Sequence, residues 1–89
     1  MARIEMGDSS FAEITPNAAT ADVLLELGMM YWLGRDVPQD YVMAHKWFNL
    51  AALKGSDDAR QYRRELAQEM TTAQVAEAQR QARSWLTLH

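Results

Sequence analysis

The chain has 89 residues, 48% hydrophobic and 24% charged, with a formal net charge of −3 at pH 7 and no cysteine. That length allows one small domain, near the limit at which a single core can hold a fold, and the acidic balance gives no general attraction to nucleic acid or an anionic membrane. Without cysteine there is neither a disulfide nor a thiolate metal site, which fits the cytoplasm, the expected compartment.

Residues 1–15 mix Gly, Ser, charge and scattered apolar side chains without a sustained period, and are read as a mobile N-terminal arm. The arm lacks an apolar stretch of signal-peptide length. Phe11 and Ile14 lie three apart, so one helical turn would place both on one face and let them dock on the domain or on a neighbouring molecule.

The domain proper is expected over residues 16–89, as a first helix pair at 16–54 and a second at 56–88. Thr15-Pro16 offers a helix start, with Asn17 and Thr20 as rival caps. Leu24, Leu27, Gly28 and Tyr31 then fall at i, i+3, i+4 and i+7, and Gly34 supplies the stop. A second apolar stripe, Leu25, Met29 and Trp32, runs beside the first, so this helix needs two partners. One is the following helix; the other is another part of the chain or another molecule. The longest apolar run, Met29-Met30-Tyr31-Trp32-Leu33, is far short of the roughly 20 residues of a membrane span.

Asp40 caps the second helix, with Val37-Pro38 enforcing an extended approach. Ala44, Trp47, Phe48 and Ala51 repeat the helical spacing, with Tyr41 and Ala52 on the same side, while Val42, His45, Lys46 and Asn49 are expected to face solvent. Gly55 ends this helix. Ser56 caps the third, with Asp57 and Asp58 in the first turn where the helix dipole favours negative charge. The third helix turns Ala59, Tyr62, Leu66, Ala67 and Met70 inward and ends near Met70. Thr71-Thr72-Ala73-Gln74 forms a capping box that opens the fourth at Thr72, with Val75, Ala78, Ala82, Trp85 and Leu86 as its apolar face. Short loops make successive helices antiparallel neighbours.

Aligning Ala59 with Val23 sets an internal spacing of 36 residues. The first unit reads Leu27-Gly28-x-x-Tyr31-x-x-Gly34-x-x-Val37-x-x-Asp40-x-x-x-Ala44-x-x-Trp47-x-x-x-Ala51-Ala52-x-x-Gly55. This ordered set resembles the Sel1-like repeat, a relative of the tetratricopeptide repeat. The resemblance implies an all-α, short right-handed α-α solenoid of antiparallel helix pairs, about four helices in all, with one full repeat and a degenerate C-terminal capping pair. The physical reading of the motif agrees: Gly28, Ala44, Ala51 and Ala52 are small enough for close helix approach, and Tyr31, Trp47 and Phe48 fill the space they leave. Asp36 stands where the family usually has a second glycine, which Asp tolerates because it visits left-handed conformations more readily than most residues. In the second unit Arg63 and Arg64 replace Leu27 and Gly28, so that unit is worn, and Arg60, Arg64, Arg80 and Arg83 would give it a polar outer face.

Catalytic signatures are missing: the sequence has no cysteine nucleophile, phosphate loop, Gly-x-Ser-x-Gly turn or His-Glu-x-x-His pair. His45 is read as a solvated surface histidine, Asp57 and Asp58 as helix-start charges, and Glu65 and Glu69 as solvent-facing partners of arginines. No catalytic, metal or cofactor residue is assigned. The family resemblance implies a non-catalytic protein-interaction scaffold or adaptor, while the acidic balance and the short apolar runs favour neither a nucleic-acid nor a membrane partner. Its interaction surface is expected at Leu25, Met29, Trp32 and Leu33, covered by a second copy in a homodimer, by the arm through Phe11 and Ile14, or by a specific protein or peptide to which the chain is a small regulatory subunit.

Overall fold

The computed structural model describes residues 19–88. Four helices occupy them, α1 (Ala21–Leu33), α2 (Tyr41–Leu53), α3 (Asp57–Ala67) and α4 (Thr72–Leu88), with no strand among the described residues. The arm at 1–15, the Thr15-Pro16 start and the proposed boundary at 16 lie outside them.

Side-chain caps set the helix starts. Thr20 accepts the Val23 N–H at 3.2 Å, so of the rival caps it is Thr20 that begins α1. Asp40 accepts from Met43 N–H at 3.1 Å and Ser56 from Ala59 N–H at 3.1 Å, each satisfying an amide that the helix itself leaves unpaired. The capping box of α4 closes in both directions: the Gln74 amide donates to Thr71 Oγ1 at 3.1 Å, and the Thr71 amide donates to Gln74 Oε1 at 2.9 Å.

Helix ends are equally local. Gly34 ends α1 with φ +68, and Arg35 N–H closes back on the Met30 carbonyl at 2.9 Å. At the end of α2, Gly55 N–H bonds the Ala52 carbonyl at 3.0 Å and Ser56 N–H bonds the Ala51 carbonyl at 3.0 Å, the two bonds of a Schellman motif. Gly55 takes φ +105 there. Asp36 takes φ +66, the left-handed conformation expected where the family usually has glycine. The third helix stops at Ala67, earlier than the expected Met70.

Packing is centred on α2, against which α1, α3 and α4 all lie, whereas α3 and α4 do not pack along each other to a comparable extent. The second unit is therefore not a self-contained pair of neighbours; each of its helices docks separately on α2. This also corrects the expected solvent face of α2. His45 is buried and Val42, Lys46 and Asn49 are half-buried, because a helix flanked on three sides leaves only a narrow strip to water. The core comprises Leu24 and Leu27 of α1, Ala44, Trp47, Phe48, Leu50, Ala51 and Ala52 of α2, Ala59 and Leu66 of α3, and Ala82 and Trp85 of α4. Leu86, expected on the inner face of α4, is 40% exposed.

Candidate interaction surface

The hairpin α1–α2 closes at its middle, where Gly28 meets Phe48. A Cβ on Gly28 would lie 2.5 Å from Phe48 Cε1 and closer still to Cδ1, so only glycine admits the ring. The connection is fastened by Gln39, whose side-chain amide donates to the Trp32 carbonyl at 2.7 Å, and by Asp40 N–H, which donates to the Tyr31 carbonyl at 2.9 Å. An exposed Arg35–Glu26 ion pair sits over it and adds little, as solvent screens such pairs.

Phe48 anchors a three-ring cluster that joins three helices. Trp32 of α1 packs edge-on to Phe48 at 5.7 Å and to Tyr62 of α3 at 5.8 Å, and Phe48 lies 5.7 Å from Tyr62. On another flank of α2, Trp47 meets Trp85 of α4 edge-on at 5.4 Å. Such contacts add about 0.5–1.5 kcal/mol each beyond the area they bury. Lys46 Nζ lies 4.6 Å from the Trp47 ring centre, and burial lowers its pKa.

The expected surface residues separate here. Leu25, Met29 and Trp32 are half-buried against the core, and Leu33 stands 58% exposed. The second partner of α1 is thus in part α3, whose Tyr62 covers one side of Trp32. Of the motif residues, Leu27, Gly28, Ala44, Trp47 and Ala51 are buried, Tyr31 is half-buried, Gly34 and Gly55 turn the chain, and Asp40 caps.

His45 is not on the surface. It is 2% exposed, and burial first, then the nearby Arg63 cation, lower its pKa below the ordinary 6.5. Its Nδ1 and the Trp47 Nε1 are buried without a hydrogen-bond partner. Arg63 is half-buried too, donating to Asn49 Oδ1 at 2.6 Å across the α2–α3 seam. The signal for this seam was in the sequence: His45, Asn49 and Ala52 follow i, i+4, i+7, a second stripe on α2 masked by its polar members. Glu65 and Glu69 do not pair with arginines. Glu65 accepts from Gln61 at 3.3 Å, and Glu69 hydrogen-bonds Tyr41, raising that hydroxyl's pKa. Arg60 instead pairs with Asp57 at 2.5 Å. Among the described residues no three His, Asp or Glu side chains converge on a metal position.

A helical hairpin closed on a glycine, with further helices laid on its second member, is the architecture of an all-α helical repeat fold. Residues 21–56, less than half of the chain, match the family model described as Sel1 repeat, and the α1–α2 hairpin is a Sel1 repeat. Repeats of this kind build protein-interaction scaffolds that are generally without catalytic activity. No significant match was found among curated proteins or among solved structures.

Proposed function

We propose that the chain is a non-catalytic interaction module that self-associates through α1, forming a symmetric homodimer across Leu25, Met29, Trp32 and Leu33. The observation that carries this is the incomplete cover of α1. Leu24, Leu27 and Gly28 are sealed against α2, but the neighbouring stripe of Leu25, Met29 and Trp32 is only half-buried, with Tyr62 of α3 against Trp32, and Leu33 projects from its end. A two-fold contact matches such a stripe to itself with one patch per copy. Met29 supplies an adaptable contact and Trp32 a large anchor. The non-catalytic reading is supported by the family match and by the burial of His45, the described histidine, away from solvent.

The test is mass in solution, by multi-angle light scattering over a concentration series, of the wild type and Leu33→Glu. Leu33 is the better probe than Trp32, because Trp32 also holds α1 to α3. A concentration-dependent dimer that Leu33→Glu weakens about tenfold or more, through a charge placed in an apolar contact, supports the reading. A wild type monomeric at every accessible concentration ends it.

A further inference from the structure

We propose that His45 is an acid-sensitive latch: while neutral it allows α3 to stay docked on the hairpin, and its protonation releases α3 from α2. Three features of the seam carry this. The imidazole is almost completely buried, and its Nδ1 has no hydrogen-bond partner. In the protonated ring both nitrogens must donate, so the charged form leaves a buried donor unpaired at Nδ1. The facing element adds a permanent cation, Arg63, which is held in place by its 2.6 Å bond to Asn49, one turn beyond His45 on α2.

Among the described residues no carboxylate forms an ion pair with the ring. The charged group that bears on the ring is Arg63 of α3, whose cation adds to burial in lowering its pKa. On α2 itself, Lys46 lies over the Trp47 ring and Tyr41 is engaged with Glu69 at the far end of the seam. Burial and Arg63 both favour the neutral ring, so the folded pKa is depressed below 6.5. The unfolded or opened chain then binds more protons, and the stabilisation is complete above about 6.5 and is lost as pH falls through the folded value.

The release is local because the two sides of α2 are held by different contacts. Tyr62, with its rings against Trp32 and Phe48, leaves with α3, whereas Trp47 and Trp85 keep α4 on α2. Hydrogen exchange on the full chain at pH 7.5 and pH 5.5, corrected for the intrinsic pH dependence of exchange, reads this directly. The expected result is that amide protection in α3 falls about tenfold or more at the lower pH while α1 and α4 change less, and that His45→Gln, which cannot charge, removes the difference. Uniform loss across all helices, or the same loss in His45→Gln, overturns the latch. Should His45→Gln fail to fold, Arg63→Gln is read with an NMR titration of the wild-type imidazole. A His45 that titrates below 6.5 in the wild type and moves upward in Arg63→Gln supports the proposal; one that titrates at or above 6.5 in the wild type ends it.

Discussion

Gly28 illustrates how one missing side chain sets the helix spacing. In a helix interior glycine is less favourable than alanine by about 1 kcal/mol, so Gly28→Ala would stabilise α1 taken alone. The Phe48 ring decides otherwise. It is fully buried between Gly28, Trp32 and Tyr62, and a new Cβ would stand 2.5 Å or less from two of its atoms. Relief requires α1 to move outward or the ring to leave its place among two other rings, and overpacking of this kind typically costs about 1–3 kcal/mol. Gly28→Ala is expected to lower the unfolding free energy by about 1–2 kcal/mol net of the propensity gain, measured by urea denaturation. Phe48→Leu in the same background should recover part of the loss, because the smaller side chain vacates the position the Cβ needs.

At the scale of elements, each helix boundary is written in a few adjacent residues. Ser56 serves two helices at once: its amide closes the end of α2 on the Ala51 carbonyl, and its hydroxyl caps α3 through the Ala59 amide. Ser56→Ala keeps the first bond and removes the second, so the expected cost is about 1 kcal/mol, read as a shift in the denaturation midpoint with an unchanged slope. Ser56→Gly should cost only a few tenths of a kcal/mol, since glycine is a tolerable cap. Such local chemistry is why the four helices, the caps at Asp40, Ser56 and Thr71, and the left-handed Asp36 were legible in the sequence. The side of each helix that would be covered was legible only where one neighbour decided it. For α2 the apolar stripe of Ala44, Trp47, Phe48 and Ala51 predicted its contact with α1, but His45 and Asn49 read as solvent-facing because their polarity conceals a helix contact that Arg63 completes from α3. Trp32 likewise read as an outer residue, since nothing in the spacing of α1 shows that Tyr62 comes from another helix to meet it.

At the scale of the whole molecule, the arrangement around α2 determines how the domain comes apart. A solenoid divides its stability among neighbouring units, so terminal elements can fray while the rest persists. Here α4 is the terminal element of the described chain, yet it lies on α2 beside the first hairpin and is anchored by Trp85 against Trp47. Trp85→Ala would remove a buried ring, a loss of about 3–5 kcal/mol for a large aromatic in a core. A domain of this size has a total stability of only about 5–10 kcal/mol, so the loss is a large share of it. If α4 were an independent cap, Trp85→Ala would fray α4 and leave the hairpin untouched. Trp85 covers Trp47 in the core of α2, so its loss uncovers the helix on which α1 and α3 both dock, whereas release of α3 leaves the Trp47–Trp85 and Gly28–Phe48 contacts in place. The expected outcome is a single, earlier unfolding transition in Trp85→Ala, with far-UV circular dichroism and tryptophan fluorescence moving together. Two separated transitions, the first confined to α4, would show instead that the Sel1 hairpin holds α1 and α2 together without help from the helix laid across it.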